Sequence, residues 1–103
     1  MGRFVKVASL ADVPPGATTV VVVEGKEIAL FNHGGTVYAL DNTCPHAGGP
    51  LAEGTLEQDL VECPWHGAQF NLKTGSSSSA LAPAGVAAFP VRVSGSDIEI
   101  ELS

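Results

Sequence analysis

The chain has 103 residues, of which 45% are hydrophobic and 16% charged, a composition that marks one globular domain and excludes a disordered segment. Eleven acidic against five basic residues give a formal net charge of −6, which disfavours nucleic acid and anionic membranes and favours a partner with a basic docking face. The longest β-branched run, residues 18–23, falls far short of the roughly 20 apolar residues a bilayer crossing needs.

Nothing near the start reads as an export signal, because Asp12 and Pro14-Pro15 interrupt the apolar residues, so a cytoplasmic location is expected. In chain order, short strands are expected at residues 4–8, 18–23, 27–32, 36–40, 60–63, 68–72, 91–93 and 98–102, with turns at 24–26, 33–35 and 94–97. No helix is expected. The regular spacing of strands and turns predicts an all-β fold, a sandwich or a barrel.

β-branched residues dominate the flanks, whereas the stretch from Asp41 to about Pro90 is rich in Gly, Pro and small side chains. That contrast divides the single domain into a base sandwich, about 1–40 and 86–103, and an inserted metal-binding lobe, about 41–85. The serine run at 76–79 reads as a surface loop.

The lobe contains both cysteines, each shortly before a histidine, in Cys44-Pro45-His46 and Cys63-Pro64-Trp65-His66. Each loop pairs a stiffening proline with a following glycine, Gly48-Gly49 or Gly67, that lets backbone approach a bulky inorganic core. Cys44, His46, Cys63 and His66 are therefore the candidate metal ligands. Zinc modules usually pair Cys with Cys and His with His, whereas this chain interleaves them twice, which favours iron and sulfur over a structural zinc ion. Catalytic Cys-His chemistry would leave the second pair unexplained, so no catalytic residue is expected. His33 reads as an exposed turn residue and Trp65 as a packing or shielding group. Glu53, Glu57, Asp59 and Glu62 lie between the loops, as a solvated face or as a docking surface for a basic partner.

The arrangement Cys-x-His, sixteen residues (47–62), Cys-x-x-His resembles the Rieske iron-sulfur proteins. Three further segments, Leu10-Ala11-Asp12-Val13-Pro14-Pro15-Gly16, Tyr38-Ala39-Leu40-Asp41-Asn42 and Phe89-Pro90-Val91-Arg92-Val93, are similar to the Rieske-type ferredoxins of bacterial aromatic-ring oxygenase systems. The resemblance implies a Rieske-type antiparallel β-sandwich with an inserted cluster-binding lobe. It implies one 2Fe-2S cluster, with Cys44 and Cys63 on the inner iron and His46 and His66 on the outer one. Pro83 resembles the proline of a loop that covers the cluster from a third side.

By the same resemblance the chain is an electron-transfer protein rather than an enzyme. It would be a soluble monomer that carries single electrons from an NAD(P)H-dependent flavoprotein ferredoxin reductase to a terminal oxygenase. Charge arithmetic supports that role, since two thiolates on a formally +2 core give a neutral oxidised site that accepts an electron more readily than a four-thiolate site. High-potential members follow the second histidine with Gly-Ser-x-Tyr and carry an extra cysteine in each loop. Here Ala68 and Phe70 replace the hydroxyl residues, and Gly49 and Trp65 stand at the cysteine positions, which predicts a low potential, roughly −150 mV. The alternative reading is the small Rieske-like subunit of a nitrite reductase, though many such subunits lack the ligands that this chain has.

Overall fold

The computed structural model describes residues 3–43, 50–64, 69–77 and 85–102. Ten strands run through these residues: β1 Arg3–Ser9, β2 Thr18–Val23, β3 Lys26–His33, β4 Thr36–Asp41, β5 Thr55–Glu57, β6 Leu60–Glu62, β7 Gln69–Asn71, β8 Ala88–Phe89, β9 Val91–Ser94 and β10 Asp97–Leu102. The helical elements among the described residues are single 3-10 turns at Leu10–Asp12 and Leu51–Glu53. The strands form three antiparallel sheets, ordered β1-β10-β9, β2-β3-β4-β8 and β5-β6-β7. The all-β expectation holds, and the sheets define its layers.

The middle sheet is apolar on both faces. Successive strand residues point to opposite sides, so Ile28 and Leu30 of β3 and Val37 and Ala39 of β4 face one way, toward Ile98 and Ile100 of β10. Ala29 and Phe31 of β3 and Leu40 of β4 face the other way, toward Val61 and Phe70 of the third sheet. An antiparallel strand with one wet face alternates apolar and polar residues, whereas one covered on both faces carries a continuous apolar run, as Ile28-Ala29-Leu30-Phe31 does. The middle sheet is thus covered by the first sheet on one face and by the third sheet on the other.

Pro90 marks the change from one sheet to the next. Phe89 pairs with Ala39 in the middle sheet, while Val91 pairs with Ile100 in the first. Proline cannot donate to a ladder, so the pairing of β8 ends there, and its carbonyl accepts from Glu101 N–H at 2.9 Å instead. On the outer face of the first sheet, Arg92 donates twice to Glu99 Oε1, at 2.8 and 2.6 Å, and lies over the Phe4 ring. Asn32 is buried at the far end of the middle sheet, where it donates to Val13 O and accepts from Gly35 N–H. No helix among the described residues is long and apolar enough to cross a membrane.

Two strands exceed the expectation: β5, Thr55–Glu57, and β8, Ala88–Phe89. Each has only two or three residues, too few for a pattern, and each is defined by the ladder it makes with a neighbour, β6 for β5 and β4 for β8. The expected strand at 60–63 stops at Glu62, leaving Cys63 just beyond it.

Candidate metal centre

Antiparallel pairs flank both Cys/His motifs. β4 leads to Thr43, which bridges to Pro50, so the residues on either side of the six-residue segment 44–49 are held together as an antiparallel pair. β6 and β7 pair through Glu62 and Gln69, which ties the residues on either side of a second six-residue segment, 63–68. Each segment begins in sequence with a cysteine, Cys44 or Cys63, and contains the histidine of its motif. The two candidate loops are therefore matched in length and in the way their ends are tied.

Cys63 is the expected ligand that falls within the described residues; Cys44, His46 and His66 lie outside them, as do Trp65, Ala68 and Pro83. Its side chain is 1% exposed, unpaired with any other cysteine, and packed with Leu51, Val61, Phe70 and Leu72. A buried thiol in an apolar setting at a loop mouth suits a sulfide-bridged iron cluster, because thiolate is a soft ligand and low polarity suits a compact, sulfur-rich core. Among the described residues no three His, Cys, Asp or Glu converge on a common point.

Gly54 joins the two loops. It follows the 3-10 turn that leaves the first loop, and a Cβ placed on it would lie 2.2 Å from the carbonyl oxygen of Glu62, the residue before Cys63. Only a glycine lets these two backbones approach so closely. The ladder continues the contact, since Thr55 pairs with Glu62.

A third tie holds the segment before β8. Gly75 O accepts from Val86 N–H at 2.8 Å, and a Cβ on Gly75 would meet Val86 O at 2.0 Å. Ser77, which bridges to Phe70 of β7, and Gly85, whose Cβ would meet Gly75 O at 2.4 Å, are the described residues on either side of the segment that contains Pro83.

His33 stands at the opposite end of the β3–β4 hairpin. It pairs with Thr36, whereas the strand end that feeds the first loop is the pair Ile28–Asp41, about 17 Å along the ladder. Glu53, Glu57, Asp59 and Glu62 are all exposed; Asp59 lies 3.9 Å from Lys73 Nζ. Sequence reasoning gave no role to Asn42, Gly54 or Gly75. Each acts through a partner distant in the chain, and one sequence carries no signal for such contacts.

Comparison with known proteins decides what this scaffold is. Residues 3–90 match the Rieske [2Fe-2S] domain. The chain belongs to that family. A Rieske domain carries one 2Fe-2S cluster, and the buried thiol of Cys63 is consistent with that cofactor. The chain is 45% identical over 94 residues to the 3-phenylpropionate/cinnamic acid dioxygenase ferredoxin subunit of Shigella boydii, covering 90% of this chain and 88% of that one. It is 35% identical over 101 residues to the ferredoxin component of the naphthalene 1,2-dioxygenase system of Pseudomonas aeruginosa, covering 98% and 97%. A chain in the complex of reduced oxygenase and oxidised ferredoxin of carbazole 1,9a-dioxygenase superposes with a TM-score of 0.86 at 34% identity, over 94% of this chain and 91% of that one. The small subunit of a nitrite reductase from Mycobacterium tuberculosis superposes with a TM-score of 0.90, but at 22% identity the likeness is one of fold alone.

Proposed function

We propose that this Rieske protein is a diffusing one-electron carrier that takes electrons from an NAD(P)H-dependent flavoprotein reductase and delivers them to a terminal aromatic-ring oxygenase. The observation that carries the reading is near-full-length similarity, at 35–45% identity, to ferredoxin components of two dioxygenase systems. The nitrite reductase likeness rests on fold without comparable identity and does not compete.

In this reading Cys44 and Cys63 hold the inner iron and His46 and His66 the outer one, within a lobe at about 41–85 on a base of about 1–40 and 86–103. The cluster supplies a reversible one-electron couple with every iron position filled by protein or sulfide, so substrate has no site on it. The chain's own residues do the rest. The wall of Leu51, Val61, Phe70 and Leu72 keeps water from Cys63. Phe70 is fully buried and offers no hydroxyl, which removes one donor that would favour the reduced state and keeps the potential near the bottom of the Rieske range, roughly −150 mV. The net charge of −6 suits brief, salt-sensitive encounters with basic docking faces, which a monomeric cytoplasmic carrier needs in order to leave quickly.

The test is single-turnover transfer. NADH and a flavoprotein reductase should reduce the protein, and the reduced protein should pass one electron to an aromatic-ring oxygenase. Stable co-purification with a sirohaem protein, without exchange with a flavoprotein, would overturn the reading.

A further inference from the structure

We propose that Asn42 is a positioning residue for the cluster, tying the residues before and after the first Cys/His motif to each other and to β3. The inference rests on the reading that Cys44 and His46 are ligands. Asn42 is the second residue before Cys44 and is 4% exposed. Its side-chain Oδ1 accepts from Ala52 N–H at 2.9 Å, and its Nδ2 donates to Glu27 Oε1 at 3.1 Å. Its backbone carbonyl accepts from Leu51 N–H at 2.8 Å, and its N–H donates to Glu27 O at 3.0 Å. One residue thus fastens the start of the loop to its end and to β3.

The neighbouring groups extend the clamp. Thr43 N–H donates to Asp41 Oδ1 at 2.9 Å, and Thr18 Oγ1 donates to Ala52 O at 2.7 Å. Ala52 therefore has its N–H held by Asn42 and its carbonyl held by β2. Every one of these bonds is internal to the polypeptide. Fixing the two ends of a segment in advance lowers the entropy cost of bringing its ligands together, which favours retention of whatever they bind.

The position calls for a carboxamide. An acceptor must face the Ala52 N–H while a donor faces the Glu27 carboxylate, and asparagine supplies both from one short side chain. Alanine leaves the N–H of Ala52, itself 8% exposed, without its partner. Aspartate keeps the acceptor but sets two carboxylates against each other. Exchanging both residues, Asn42→Asp with Glu27→Gln, restores a donor opposite an acceptor with the direction reversed and the charge unchanged.

The experiment compares reconstituted wild type, Asn42→Ala, Asn42→Asp, Glu27→Gln and the double exchange. It reads the rate of cluster loss to a ferrous chelator, the electron resonance g-values of the reduced state, and the circular dichroism of the apoproteins. Asn42→Ala should lose its cluster roughly tenfold faster, with shifted g-values and an unchanged apoprotein spectrum, the scale at which groups behind a ligand act. Asn42→Asp should also lose it faster, the double exchange should recover most of the retention, and Glu27→Gln alone should match wild type. Wild-type retention and g-values in Asn42→Ala would overturn the proposal, as would a double exchange no better than Asn42→Asp. If wild type shows no low-g rhombic signal on reduction, the ligand assignment fails and the proposal with it; an intact wild-type signal with an inert Asn42 sinks the proposal alone.

Discussion

Gly54 lies so close to Glu62 that a Cβ on it would be 2.2 Å from the Glu62 carbonyl oxygen and 3.1 Å from the Leu51 oxygen. This contact sets the segment that follows the first Cys/His motif against the residue before Cys63. Gly54→Ala must push these backbones apart. We expect a loss of about 1–3 kcal/mol, the usual scale of overpacking, read as a lower midpoint in thermal unfolding of the holoprotein. Because the strain falls between the loops, cluster retention should drop as well. A variant with wild-type stability and retention would show that the close approach of Gly54 to Glu62 does not hold the two segments together.

Gly75 and Gly85 test the third tie. A Cβ on Gly75, at φ +76°, would meet Val86 O at 2.0 Å, and a Cβ on Gly85 would meet Gly75 O at 2.4 Å. Each alanine variant should destabilise by about 1–3 kcal/mol in denaturant titration. Both strain the same junction, so Gly75→Ala/Gly85→Ala should cost less than the sum of the two singles. Strict additivity would mean that the two sites do not share a contact.

The ligand assignment predicts a sharp contrast among the three histidines. His46→Cys or His66→Ala should abolish the paired visible absorption of the oxidised protein and the rhombic low-g resonance of the reduced one, because the outer iron loses an imidazole. His33→Ala should leave both unchanged, since His33 pairs with Thr36 at the far end of the β3–β4 hairpin. Spectra and iron content of the three purified variants settle the matter. A lost signal in His33→Ala would overturn the assignment.

What the sequence made legible, and what it hid, divides along the range of the interaction. The β-branched run of β2 and the Cys-Pro motifs are local patterns, so strands and candidate ligands could be read directly. The apolar run Ile28-Ala29-Leu30-Phe31 signalled a strand, but not that its two faces serve different layers, because that depends on β10 and β6–β7 packing from opposite sides. β5 and β8 are products of their neighbours' ladders and are too short for any pattern. Asn42 and Gly54 look like ordinary turn residues in a one-dimensional string. Their significance comes from Ala52 and Glu62, ten and eight positions away, which only the folded chain brings into contact.

The last prediction concerns the potential. Phe70 shares its buried cluster with Cys63, and neither it nor Ala68 carries a hydroxyl. The reduced cluster is one charge more negative than the oxidised one, so a hydroxyl donating to a sulfur favours reduction and raises the potential. If one such bond is worth about 1.4 kcal/mol more in the reduced state, it shifts the one-electron midpoint by about +60 mV. Ala68→Ser/Phe70→Tyr should therefore have a midpoint raised by about 60 mV or more in redox titration followed by visible spectroscopy. The tyrosine hydroxyl enters a fully buried position, so if it fails to reach sulfur it is left unpaired and costs about 1–3 kcal/mol of stability. The two readouts separate the cases. A raised midpoint with near-native stability means that the hydroxyls reach the cluster, and an unchanged midpoint with lowered stability means that positions 68 and 70 do not set the potential.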